Sequence, residues 1–197
     1  MPRRSEPVAD DPKITLVLGG ARSGKSAFAQ QLATRLSGTV LFVATGVAVD
    51  AEMAERIAAH RASRPASWRC VEAPIGVGEA IRRASYESGV VLVDCLSFLV
   101  SNCLMAEHAS SSVELTEQAV WPRIDDEIAG ILEATLSEGT RLIIVSDEVG
   151  MSVVPEYPLG RIYRDLLGRA NQRIAREAGG VYLMVAGIPV DIKALGP

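Results

Sequence analysis

The chain reads as one α/β domain, a mainly parallel sheet with helices on both faces, and three observations carry that reading. Short apolar runs without polar alternation recur along the 197 residues, separated by segments whose apolar residues fall at helical spacing. The first of these runs feeds a glycine-rich turn that opens a helix. Apolar residues make up 48% and charged residues 22%, a globular composition with room for one core and little room for two.

Residues 1–12 are expected to be a disordered tail whose polar start lacks the apolar core of a signal segment, and the domain occupies 13–197. Ile14 to Leu18 is a buried strand. After it come Gly19, four intervening residues, Gly24, Lys25 and Ser26, the G-x-x-x-x-G-K-[ST] phosphate cradle of a P-loop NTPase in its required strand-turn-helix setting. Glycines let successive N–H groups turn inward toward phosphate oxygens, and the helix start adds its positive end. Lys25 is expected to reach the β- and γ-phosphates, and the Ser26 hydroxyl to sit on Mg²⁺.

Phe28, Leu32 and Leu36 give the following helix one apolar face, and Gly38 ends it. Thr39 to Ala44 is the second strand, leading into a turn at Thr45-Gly46. Asp50 to Arg61 is a helix with Asp50 as N-cap and His60 near its end, broken at Pro65. Trp68 to Val71 fits a short strand and Val77 to Ser88 a helix. Val90 to Val93 is an apolar strand ending in Asp94, on the rim where ligands gather in open α/β sheets and where an acid commonly holds Mg²⁺; capping the next helix is the plainer role for the same residue.

Leu96 to Leu104 is helical, His108 to Ser112 a polar loop, and Val120 to Leu136 a helix with Asp125, Asp126 and Glu127 outward. Arg141 to Ser146 is the fourth strand. Asp147 and Glu148 follow it at the same rim, with a base, a substrate contact or loop ordering as their readings. The last helix carries Leu159, Ile162, Tyr163, Leu166, Ala170 and Ile174 inward, with its arginines on a solvated face. Gly179-Gly180 closes it, and Val181 to Ala186 is the fifth strand.

The net charge of −4 gives no broad surface for nucleic acid or anionic membrane, and no apolar run reaches membrane-spanning length. Three cysteines, never spaced C-x-x-C, point to buried thiols in a reducing cytoplasm rather than to a disulfide framework or a zinc site.

Several stretches resemble the adenosylcobinamide kinase / adenosylcobinamide-phosphate guanylyltransferase family of cobalamin (vitamin B12) biosynthesis. They are Gly19 to Ser26, Ala44-Thr45 through Glu52-Met53 to His60-Arg61 and Arg64-Pro65, Glu148 to Met151 with Val154-Pro-Glu156, and Arg164-Asp165 with Gly168-Arg169 and Asn171 to Arg173. The resemblance implies a RecA-like P-loop fold, a homotrimer, and two activities. One phosphorylates adenosylcobinamide with ATP or GTP; the other transfers GMP from GTP to adenosylcobinamide phosphate through a guanylyl-histidine at His60. It also implies nucleotide contacts at Gly19, Gly20, Ala21, Arg22, Ser23, Gly24, Lys25, Ser26, Ala44, Thr45, Gly46, Arg61, Ala62, Ser63, Arg64, Glu72 and Asp94, with Mg²⁺ at Ser26 and Asp94. The chain departs from the family pattern at Ala59, where a second histidine precedes the nucleophile, and at Asp94, where glutamate also occurs. On the residues alone, His60 reads first as an ordinary helix-end histidine, and only the surrounding match makes it a nucleophile; a plain small-molecule kinase or a nucleotide-driven switch module are the other readings.

Overall fold

The structure, a computed structural model, describes residues 11–48, 50–62, 64–85, 88–110, 115–137 and 140–196. Of the expected tail, residues 1–10 lie outside these, whereas Asp11 reaches Arg35 at 3.5 Å.

The strands are β1 (Ile14–Gly19), β2 (Val40–Ala44), β3 (Arg69–Glu72), β4 (Val90–Asp94), β5 (Arg141–Val145), β6 (Gly180–Val185) and β7 (Ile188–Asp191). The helices are α1 (Lys25–Leu36), α2 (Ala51–Ala62), α3 (Val77–Ala84), α4 (Leu96–Ser110), α5 (Glu117–Ser137) and α6 (Pro158–Glu177). One sheet runs in the order β3-β2-β4-β5-β1-β6-β7. All neighbours are parallel except β6 and β7.

The continuous apolar strands are explained by burial on both faces. Leu41, Val43, Val91, Val93, Leu142 and Ile144 pack with α3 to α6, while Val40, Phe42, Val90, Leu92, Ile143 and Val145 pack on the other side with α1 and Trp68. On the first side α3 crosses α5 so closely that a Cβ on Gly78 would stand 2.4 Å from the carbonyl carbon of Gly130. No helix among the described residues is long and apolar enough to cross a membrane.

The structure corrects the sequence reading at six places. The sheet has seven strands in place of five with a possible sixth, because β7 folds back on β6 through Ala186 (φ 51) and Gly187 (φ 82), both left-handed, as a two-residue hairpin turn requires. Pro189 is accommodated because β7 is an edge strand. The helix expected over Val77 to Ser88 ends at Ala84. Helix α4 runs through His108 to Ser110, where a loop was expected. Glu127 is half-buried against α3 instead of free on an outer face: its carboxylate accepts the N–H groups of Gly76 at 2.6 Å and Val77 at 3.0 Å, answering unpaired donors at the start of α3. Helix α6 closes on extended Ala178, not on a left-handed glycine, and Gly179 and Gly180 instead leave room for Pro12. Finally, Cys70 is exposed while Cys95 and Cys103 are buried.

Candidate functional site

The site forms at the carboxyl ends of β1, β2, β4 and β5. The turn after β1 needs its glycines for two different reasons. A Cβ on Gly19 would lie 2.6 Å from Ser23 Oγ and 2.7 Å from Met184 O, and Gly24 holds φ 95 as the N-cap of α1. The turn is tied down from outside, since Glu148 N–H donates to Gly19 O at 3.0 Å and Gly187 N–H to Ser23 O at 3.0 Å. It delivers Lys25 and Ser26 as the first residues of α1.

A cavity of about 220 Å³ opens there. Its phosphate-loop wall is Lys25 and Ser26, its acidic wall Asp94 and Asp147, and its remaining sides Ala44, Gly46, Ile57, Arg64, Cys95, Phe98 and Val145. Lys25 is 9% exposed. Its ammonium donates to Gly20 O at 2.7 Å and pairs with Asp147 Oδ1 at 2.8 Å.

The acidic wall is braced from several elements. Thr45 is fully buried; its hydroxyl donates to Cys95 O at 2.6 Å and accepts Cys95 N–H at 2.9 Å, joining the ends of β2 and β4 across the cis Asp94–Cys95 peptide. Asn102 donates to Thr45 O and to Pro74 O, each at 2.9 Å. Burial, and then the neighbouring Asp94 charge, pushes the Cys95 thiol up to about 12, so this wall residue is a neutral apolar surface at neutral pH. Tyr163 is likewise pushed up, by burial and then by Asp147.

Arg64 reaches the cavity by a different route. Its guanidinium carbon lies over the Phe42 ring, 3.5 Å from the centroid, and Phe42 stacks in turn on Trp68 at 6.4 Å between centroids. Among the described residues its buried Nε has no hydrogen-bond partner, so the ring covers one side of the group while that donor stays unspent.

The structure thus brings Lys25, Ser26, Ala44, Gly46, Arg64 and Asp94 of the expected set to one cavity, with Gly19, Gly20, Ala21, Arg22, Ser23 and Gly24 forming the turn that leads into it. Thr45 is spent on bracing. Arg61 and Glu72 are exposed and pair with each other at 3.6 Å, away from the cavity lining, and Ala62 is exposed beside Arg61. Residue 60 is in the last turn of α2, the helix whose Ile57 lines the cavity, but the His60 side chain and all of Ser63 lie outside the described residues. The sequence reading did not place Asp147 beside Lys25, nor Ile57, Cys95 and Phe98 on the wall. Asp147 alone had a legible signal, a carboxylate just past the end of an apolar strand, as at Asp94.

Ser26, Asp94 and Asp147 suit Mg²⁺, which takes one or two carboxylates and completes its shell with substrate phosphates and water. Among the described residues no group of three or more histidine, cysteine or carboxylate side chains is placed to hold a metal ion by itself.

Residues 15–192 match the family model described as cobinamide kinase / cobinamide phosphate guanyltransferase. The chain is 40% identical over 181 residues to the bifunctional adenosylcobalamin biosynthesis protein CobU of Salmonella typhimurium, covering 91% of this chain and 99% of that one. It is 41% identical over 181 residues to the protein of the same name from Escherichia coli, with the same coverage. Against the bifunctional adenosylcobalamin biosynthesis protein CobP of Pseudomonas aeruginosa it is 39% identical over 178 residues, 90% of this chain and 96% of the other. Among solved structures, the RadB recombinase aligns with a TM-score of 0.47 at 13% identity, over 88% of this chain and 74% of that one.

Proposed function

Since the chain belongs to the cobinamide kinase / cobinamide phosphate guanyltransferase family, we propose that it carries out both reactions with nucleotide held in the Lys25 cavity. It phosphorylates adenosylcobinamide with ATP or GTP, then transfers GMP from GTP to adenosylcobinamide phosphate through His60. The observation that supports this is the lining of one cavity, which joins the phosphate-loop residues Lys25 and Ser26 with Ile57 of the helix that bears His60 and with Arg64 just beyond that helix.

In the kinase step the substrate hydroxyl attacks the γ-phosphorus, the bond to the bridging oxygen breaks, the nucleoside diphosphate leaves and the hydroxyl proton passes to solvent. Lys25 and the N–H groups of the loop answer the charge on the phosphate oxygens. Ser26 and Asp94 would hold Mg²⁺, which supplies charge neutralisation on those oxygens.

In the transferase step a neutral ring nitrogen of His60 attacks the α-phosphorus, pyrophosphate leaves, and a P–N bond forms. An oxygen of adenosylcobinamide phosphate then attacks the same phosphorus, the P–N bond breaks, and adenosylcobinamide-GDP is released. Arg64, held over Phe42, would bind phosphate oxygens, while Arg61 and Glu72 are assigned to the nucleotide by family likeness alone. The enzyme acts as a cytoplasmic homotrimer.

The test is to assay both half-reactions in two variants. Lys25→Ala should lose about a hundredfold or more in each. His60→Ala should abolish GMP transfer and leave phosphorylation of adenosylcobinamide within a few-fold of the parent. Phosphate transfer with no GMP transfer in the parent protein would reduce it to a small-molecule kinase; neither activity would leave a nucleotide-driven switch.

A further inference from the structure

Lys25 does not face the cavity alone. Its ammonium is 2.8 Å from a carboxylate oxygen of Asp147, and the Asp147 backbone is fixed from two helices. Its N–H donates to Ser97 Oγ of α4 at 2.8 Å, and its carbonyl accepts Asn171 Nδ2 of α6 at 3.0 Å. Asn171 is held in turn by the fully buried Ser146, whose hydroxyl donates to Asn171 Oδ1 at 2.6 Å. This is more construction than one ion pair requires, and it aims a negative charge at the place a phosphate must occupy to reach Lys25.

We propose that Asp147 is a specificity-determining residue that admits nucleoside triphosphate as its Mg²⁺ complex and rejects the metal-free anion. The inference rests on the nucleotide-site reading above.

A phosphate that takes Lys25 must displace the Asp147 carboxylate and then lie beside it, with Asp94 on the same wall. Like charges a few ångströms apart in a partly shielded cavity cost about tenfold or more in affinity. A divalent cation on the phosphates reverses the sign: the released carboxylate then faces positive charge, and Mg²⁺ accepts a carboxylate directly or through water. The same residue therefore opposes one form of the ligand and favours the other, so specificity comes from a repulsive element as well as an attractive one.

The experiment is a calorimetric or fluorescence titration with GTP, in Mg²⁺ and in excess EDTA, for the parent, D147N, Asp147→Glu and Lys25→Ala. The parent should bind the Mg²⁺ complex much more tightly than free GTP. D147N should bind metal-free GTP about tenfold more tightly than the parent, and its preference for Mg²⁺ should shrink by about the same factor. Asp147→Glu keeps the charge and should keep the preference, and Asp147→Ser repeats the measurement should D147N fold poorly. An unchanged Mg²⁺ preference in D147N, or an equal loss of affinity with and without the metal, overturns the proposal. If Lys25→Ala leaves GTP affinity intact, the nucleotide-site reading fails and the inference with it. If Lys25→Ala weakens GTP while D147N keeps the preference, the inference alone fails.

Discussion

An ammonium as enclosed as that of Lys25, 9% exposed, is costly to bury unless charge and dipoles answer it, and Gly20 O and Asp147 do so here. The cysteines show the opposite solution, in which the group stays neutral. Burial raises Cys95 to about 12, and burial followed by Glu127 raises Cys103 to about 11. Alkylation of the folded protein at pH 8, read by intact mass, should therefore modify one thiol of three, exposed Cys70; rapid modification of Cys95 would contradict the burial. The same shifts fix a sign for stability. Between the ordinary thiol value near 9 and about 11 to 12, the unfolded chain has released protons that the folded chain retains. Stability is therefore complete below pH 9 and falls as pH rises through that window, a decline that urea titrations at stepped pH should show and that Cys95→Ala should lessen. The lysine and the strand-ending carboxylates were legible as single residues, because each residue type at its spacing implies its chemistry. Pairing between Lys25 and Asp147 was not, since they stand 122 positions apart in the sequence and only the strand order joins them.

Among the elements, the five apolar strands were legible because burial on both faces leaves no polar alternation to confuse the pattern. Strand β7 was not, since Ile-Pro-Val-Asp is short, contains proline, and follows Ala-Gly where a hairpin usually advertises itself with Asn-Gly. Glu127 was misread because helical periodicity places it on the polar side of α5, while a neighbouring helix start supplies two N–H groups to that side. Glu127→Ala should cost about 1 kcal/mol, by analogy with loss of a helix cap, with the destabilisation visible in a urea midpoint. Gly78→Ala should cost more, about 2 kcal/mol or above, because the added methyl meets backbone at 2.4 Å and no rotamer can relieve it. A Gly78→Ala variant as stable as the parent would contradict the close crossing of α3 and α5.

At the scale of the whole molecule, the sheet order does what the sequence order cannot: it sets the ends of β1, β5, β4 and β2 side by side, so that Lys25, Asp147, Asp94, Ala44 and Gly46 line one cavity. Membership of the family was legible because its motifs are spread through the chain in order. The cavity's apolar walls, Ile57 and Phe98, were not legible, because an apolar residue reads the same in a core as in a pocket. Assembly as a homotrimer should appear in light scattering behind size exclusion as three times the mass of one chain; a monomer at micromolar concentration would contradict it. The most direct test of the chemistry is incubation with α-labelled GTP and Mg²⁺, followed by peptide mapping. The expected result is one acid-labile, alkali-stable GMP on the peptide containing His60, absent in His60→Ala and discharged by adenosylcobinamide phosphate. Label on another residue, or none while GMP transfer proceeds, would contradict it.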